Sequence, residues 1–240
     1  MILLYLDESR HEDPNSWMVV AGFWGTPEQW AAFEPDWTVA LGQKRALHMN
    51  TLRLNSVRGG RRAKVQLKRL GDLPYKHGLK GIYGAVRAGD YLDVVANTYL
   101  EVQLPGYAIC LTAVMQKLSR TVPPHESIKI VCEIQTSYEK ISRQSFENLR
   151  RTDPISSPLR PYFHSIEFIR KNFSVRTQPC DFLAYALAEW FEDRDSRKSQ
   201  LCRPIFGATG VSGLRIPPAE IRQMALNVKN GRMFRIITGK

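Results

Sequence analysis

The chain opens on Ile2-Leu3-Leu4-Tyr5-Leu6, an apolar run that leads directly into Asp7-Glu8. A run with no polar alternation is the signature of a strand buried on both faces, at the centre of a sheet. Such a strand needs a layer packed on each side of it. Asp13-Pro14-Asn15-Ser16 is a turn cluster, and Trp17–Gly25 is a second apolar run rich in β-formers. The two runs predict an antiparallel hairpin. Asp7 then stands at the end of a central strand, beside the interior yet reachable from a cleft.

The rest of the chain fills in the layers. Thr26 reads as a helix N-cap with Pro27 at the first helical position. Trp30, Phe33, Trp37 and Leu41 follow as one apolar stripe, with Pro35 interrupting it. Val94–Leu104 reads as a strand closed by Pro105-Gly106, and Tyr107–Leu118 as a helix. Ser127–Glu133 reads as another buried strand, Tyr138–Arg151 as a polar helix, and Ser165–Arg170 as a short strand. Gln178–Glu192 is a helix with Pro179 near its start, and Ala219–Val228 is a last helix. A hairpin followed by alternating strands and helices predicts an α/β fold with a mixed sheet flanked by helices, in the order of a ribonuclease-H-like fold.

A chain of 240 residues suits one large domain. It would bury about 70–75% of its unfolded surface, so its core needs no disulfide or metal staple. The expected organisation is a domain over 1–195, a basic arm or insertion over 44–80, and an extension over 196–240 packed on the same domain. Cys110, Cys132, Cys180 and Cys202 form no C-x-x-C pair, so a zinc ribbon or finger is unsupported. The N-terminus has neither a basic region nor a small-residue cleavage site, and no apolar run has the length of a bilayer span. The expected location is the cytoplasm, with no membrane partner.

The net charge is +11, and it is segregated. Residues 1–43 contain one base and seven acids, whereas residues 44–80 contain eleven bases and one acid. One stretch nearly accounts for the basicity, and a long acidic partner, nucleic acid above all, is the expected ligand. Arg58, Arg61, Arg62, Lys64, Lys68 and Arg69 are the candidates for phosphate contact, with Gly59-Gly60 giving the segment freedom to follow a backbone. The alternative is a solvated face paired with the acids of the first segment.

Three acids occupy positions from which they can converge. Asp7 and Glu133 each end a buried strand, and Asp181 lies in the first turn of the helix begun by Gln178. Carboxylates gathered at one rim suit divalent-metal phosphoryl transfer. Mg²⁺ takes oxygen ligands and is held by a few carboxylates, phosphate and water. A pair of such ions can activate a water and stabilise a leaving oxygen. The cofactor expected on this reading is Mg²⁺ or Mn²⁺.

The same residues resemble a known family. Tyr5-Leu6-Asp7-Glu8-Ser9 is similar to the Y-x-D-E-S-G start of the bacterial domain-of-unknown-function 3800 family. The likeness continues through Ala21-Gly22, Trp30 and Trp37, Leu47-His48-Met49, Ile130–Glu133, Ile166-Glu167-Phe168 and Lys171. It ends in Gln178-Pro179-Cys180-Asp181-Phe182-Leu183-Ala184-Tyr185, similar to the family's L-Q-x-A-D-L-L-A-Y. It spans residues 1–193, with Arg10 where the family has Gly, and Thr177 and Cys180 in place of Leu and Ala. The resemblance implies a ribonuclease-H-like fold and a metal site in which Asp7, Glu133 and Asp181 are the acids. Glu8 and Gln178 match flanking polar positions, Glu8 as a further candidate metal ligand and Gln178 as a candidate substrate contact.

Each candidate has a plainer reading beside the functional one. Asp7 could cap a turn, and Glu8 could point outward into a salt bridge. Asp181 could serve the helix dipole with Gln178 as N-cap. Strand parity places Lys129, Val131 and Glu133 on one face but does not say which face is buried. His48 and Lys171 are candidates for contacting phosphate, against structural and solvated roles respectively. Trp30, Trp37 and Trp190 read as core. The function expected is a metal-dependent nuclease. The alternatives are a non-catalytic nucleic-acid-binding module, or a toxin-like or defence-associated interaction protein.

Overall fold

Ile2–Ser9 (β1) lies inside a six-stranded sheet, as its unbroken apolar run requires. The computed structural model describes residues 1–9, 13–42, 47, 49, 57–95, 105–123, 126–133, 139–151, 163–170, 174–207 and 210–230. Trp17–Gly25 (β2) pairs antiparallel with β1, from Ser9 opposite Val19 to Leu3 opposite Gly25. On the β2 side of the connection, the Asp13 carboxylate accepts from the Asn15 backbone N–H at 2.8 Å and its carbonyl from that of Ser16 at 2.9 Å. The predicted hairpin is present.

Pro27–Leu41 (α1) begins at Thr26 through a reciprocal capping box with Gln29. The helix runs through Pro35, which in a helix interior costs about 3 kcal/mol. Trp30, Phe33 and Trp37 are fully buried, and at about 2–3 kcal/mol for each large side chain they offset that cost. Val57–Gly71 (α2) and Leu73–Lys76 (α3) lead to Lys80–Arg87 (β3), antiparallel to β2. Ala88–Val95 (α4) and Gly106–Ser119 (α5) precede Ile128–Glu133 (β4), which is parallel to β1. Glu139–Arg151 (α6) leads to Phe163–Ile169 (β5), parallel to β4. Gln178–Glu192 (α7) and Arg197–Cys202 (α8) precede Ser212–Ile216 (β6), parallel to β3, and Pro218–Lys229 (α9).

The strand order is β5-β4-β1-β2-β3-β6, so the fold is α/β with a mixed sheet. Alternation along β1 divides the core. Leu4 and Leu6 face α5 together with Ile130 and Cys132, whereas Leu3 and Tyr5 face α1 and α7 together with Val131. All four cysteines are buried and unbridged. Among the described residues, no helix is long and apolar enough to cross a membrane.

Two strands differ from the sequence expectation. The third strand of the sheet is Lys80–Arg87, which the sequence reading lacked; of the expected strand Val94–Leu104, Val94 and Val95 end α4, and 96–104 lie outside the described residues. Gly81 and Gly84 mask β3 in the sequence. Gly84 is required because α5 presses so close that a side chain there would run into the Cys110 carbonyl. Similarly, β6 contains Gly213, and the apolar pattern there predicts no strand.

Candidate carboxylate site

The parallel register of β1 and β4 sets the site. Leu6 lies opposite Cys132, so the next residues along, Asp7 and Glu133, stand side by side at the same end of the sheet. Adjacent strands lie about 4.8 Å apart, so the two carboxyls are neighbours. Both share the parity of Tyr5 and Val131 and therefore lie on the face covered by α1 and α7. Asp7 is 5% exposed and Glu133 7%. Parity alone could not bury Glu133; the layer laid over that face does.

Helix α7 brings the third acid. The Cys180 thiol donates to the Tyr5 carbonyl at 3.2 Å, which fixes the first turn of α7 over β1. Asp181 follows and is half-buried. Its Oδ2 accepts from the Met49 backbone N–H at 3.0 Å. Gln178 is buried, and its Oε1 accepts from Trp37 Nε1 at 3.0 Å and from the Leu47 backbone N–H at 3.2 Å. Gln178 is the first residue of α7, not its N-cap; that position falls to Thr177, which follows directly on a 3₁₀ turn, Val175–Thr177. The side chain of Gln178 is thus a tether between α1, Leu47 and α7.

The electrostatics of the cluster centre on Asp7. Burial holds its pKa well above the ordinary carboxylate range, and the charges of Glu8, Glu133 and Asp181 push it further in the same direction. A hydrogen bond from protonated Asp7 to Glu133 adds to the effect. Asp7 Oδ1 accepts from the Glu8 backbone N–H at 2.9 Å. With Asp7 ionised, its Oδ2 and Glu133 Oε1 are buried and receive no hydrogen bond. Buried carboxylate oxygens without a donor are costly, and a cation or a proton is what relieves them. Glu8 has the opposite parity and takes part in the surroundings of Tyr107 and Cys132.

These oxygens fit a hard divalent cation. Among the described residues, no group of three or more His, Cys, Asp or Glu side chains is arranged as a ready-made cage. Mg²⁺ does not need one, because it is commonly held by one or two carboxylates, with substrate phosphate and water completing the shell.

Arg176 braces Tyr5 and was not foreseen from the sequence. Its Nε donates to Glu34 Oε1 at 2.6 Å and its Nη1 to the Tyr5 hydroxyl at 3.0 Å. Tyr5 is two residues before Asp7 on the same face, so this pair buttresses the strand that carries the acid. The only sequence signal was a basic residue just ahead of Gln178.

The described part of the basic stretch is folded, not trailing. Helix α2 buries Leu67 and Leu70 and exposes Lys64, Lys68 and Arg69. Arg69 Nη2 donates to the Val39 carbonyl at 3.3 Å. Among the described residues, no ion pair engages Lys64, Lys68 or Arg69. Two acids of the first segment are matched elsewhere, Glu34 to Arg176 and Asp36 to His77. Arg58, Arg61 and Arg62 lie on the same helix, but their side chains are outside the described set, as are His48 and Lys171 altogether. Compared with protein-family models, the chain matches none, and no curated protein matches it either.

Proposed function

We propose that this chain is a Mg²⁺- or Mn²⁺-dependent nuclease of ribonuclease-H-like fold that hydrolyses phosphodiesters. The observation that carries this reading is the pairing of Asp7 and Glu133 on neighbouring parallel strands, each with a buried carboxylate oxygen that no donor satisfies. The strand order supports it: three antiparallel strands, β1 to β3, followed by β4 and β5 parallel to β1, is the order expected of that fold. The resemblance of residues 1–193 to the domain-of-unknown-function 3800 family points the same way.

On this reading Asp7 and Glu133 hold the cation, and Asp181 and Glu8 add negative charge close by. A cation held by Asp7 and Glu133 would supply charge stabilisation to the phosphate and lower the pKa of a water. Burial and the neighbouring acids favour the protonated form of Asp7, and a cation held there would favour the carboxylate. Gln178 keeps α7, and with it Asp181, seated over the rim. Lys64 and Lys68, exposed on α2 and without an ion pair among the described residues, offer sequence-independent contacts to the phosphate backbone.

The deciding experiment assays Asp7→Asn and Asp181→Asn on single-stranded RNA, single-stranded DNA and hybrids, with Mg²⁺, with Mn²⁺ and with chelator. Metal-dependent cleavage lost in both variants is the expected result. Cleavage that survives both substitutions overturns the reading. Binding without turnover under any metal replaces it with a non-catalytic nucleic-acid-binding module.

A further inference from the structure

A cavity of about 590 Å³ opens beside β3 and β6, lined by Tyr83, Trp190, Phe191, Glu192, Asp193 and Arg215, among others. That volume is within the ordinary range for a small-ligand site. It stands at the same end and on the same face of the sheet as the carboxylates. Asp7 pairs with Ala21, and Ala21 pairs with Tyr83. Tyr83 is therefore two strands from Asp7, about 10 Å at the usual strand spacing. Helix α7 joins the two places, with Asp181 in its first turn and Phe191 in its last.

The walls have a specific chemistry. Phe191 packs against Trp17 with ring centroids 5.1 Å apart and against Tyr83 at 5.5 Å. Tyr83 lies directly over Gly213, where any side chain would collide with its ring. The Arg215 guanidinium sits 5.2 Å from the Phe191 ring and 6.0 Å from that of Trp17. Arg215 is exposed, and among the described residues it has no salt-bridge partner. Trp190, expected to be core, is half-buried, with its ring edge-on to Phe206 at 5.5 Å. Glu192 and Asp193 add exposed carboxylates at the mouth.

We propose that this cavity is a nucleobase subsite for a single strand of nucleic acid, a proposal that rests on the nuclease reading of the neighbouring carboxylates. Aromatic faces stack on any base, and a planar guanidinium both stacks and meets phosphate. Glu192 and Asp193 can accept from the exocyclic amino group of a base, which aliphatic or purely acidic ligands do not offer. A duplex does not fit this role, because its bases are stacked on one another and closed to the rings. The subsite holds one base of a single strand whose backbone passes the carboxylate rim.

The test measures binding, not cleavage. Fluorescein-labelled oligo-dA, oligo-dC and oligo-dT are titrated in EDTA, by anisotropy, against wild type, Phe191→Leu, Arg215→Gln and Arg215→Lys. Thermal melts establish that each variant is folded. Stacking of one base is worth about 1–3 kcal/mol, so Phe191→Leu and Arg215→Gln should each weaken binding roughly 5- to 150-fold. Arg215→Lys should keep the salt dependence of wild type yet lose affinity, since lysine keeps the charge and loses the plane. Unchanged affinity in folded Phe191→Leu and Arg215→Gln overturns the proposal. So does equal sensitivity of duplex binding to these variants, or competition by a mononucleotide as effective as by the oligonucleotide. The two readings fail separately. If the carboxylates are not a nuclease site, the Arg215→Gln defect in EDTA persists. If the subsite is wrong, cleavage sensitive to Asp7→Asn persists.

Discussion

The carboxylate rim and helix α2 carry opposite charges under opposite physical conditions. At the rim, Asp7 and Glu133 are almost wholly buried, and each has a carboxylate oxygen with no hydrogen-bond donor. On α2, Lys64, Lys68 and Arg69 stand exposed on a helix held down by Leu67 and Leu70 beneath them. Charge in water costs little and is screened by salt; charge removed from water raises the free energy of the fold unless something compensates it. The net charge of +11 adds these two populations together and so hides the difference between them.

The largest effect that separates the two regions is on activity. Asp7→Asn keeps the shape of the side chain, removes the charge and gives Glu133 an N–H donor. Nuclease turnover should fall by about 10²–10³-fold or more, the scale on which a single electrostatic contact to a transition state is lost. In the same variant, without divalent cation at neutral pH, the melting temperature should rise, because the cost of burying an ionisable Asp7 beside Glu8, Glu133 and Asp181 disappears. Turnover lost together with a lowered melting temperature would mean that Asp7 is a structural residue, and the contrast between the regions would break. Stability against pH gives a second sign. In the folded protein Asp7 retains its proton above the pH at which the unfolded chain has lost it. The folded state thus binds more protons in that window, and wild-type stability should fall as pH rises from the ordinary carboxylate range through the raised folded value. Asp7→Asn should flatten that slope, as measured by denaturant titrations across acid to neutral pH.

Gln178 tests how the rim is held. Its Oε1 accepts from two buried or nearly buried donors, Trp37 Nε1 and the Leu47 backbone N–H. Gln178→Ala leaves both without a partner, at about 1–3 kcal/mol each. A loss of roughly 2–4 kcal/mol in chemical denaturation is expected, partly recovered in Gln178→Glu, which retains an acceptor. A loss below 0.5 kcal/mol in Gln178→Ala would show that the tether is not what seats α7.

These contrasts also mark what could be read from residues alone. The hairpin, the α1 cap and the bounds of α7 follow from apolar pattern, capping chemistry and proline placement, all local signals. Asp7 was legible for the same reason, as the acid that ends an unbroken apolar strand. Glu133 was legible only to parity, because burial of its face depends on α7, which arrives from 45 residues further along the chain. The strand at Lys80–Arg87 was hidden by glycines whose purpose, close approach of α5, exists only in three dimensions. Gln178 looked like a cap because its partners, Trp37 and Leu47, are more than 130 residues away. The ring cluster around Arg215 draws on β2, β3, α7 and β6, and no sequence window contains it.

Divalent cations give a smaller and more selective probe. A ligand that binds only the folded state stabilises it by about 2.7 kcal/mol at one hundred times its dissociation constant. Saturating Mg²⁺ or Mn²⁺ at neutral pH should therefore raise the melting temperature of wild type by several degrees. Asp7→Asn and Glu133→Gln should show little of this rise, and Lys64→Glu should show all of it. An equal rise in every variant would place the cation elsewhere.

The smallest effect on stability belongs to α2, and its smallness is the informative part. Lys64 and Lys68 are exposed and, among the described residues, engage no ion pair. Replacing both with Glu should change unfolding free energy by no more than about 0.5 kcal/mol. If they meet phosphates, the same double variant should weaken nucleic-acid binding across all sequences. It should also reduce the slope of log affinity against log salt by about one per lysine. A fall in stability without a change in salt slope would mean that these lysines serve the fold. The difference drawn between the two regions would then vanish, because charge on α2 would be as structural as charge at the rim. A change in salt slope at constant stability keeps the difference and assigns the basic helix to holding the backbone.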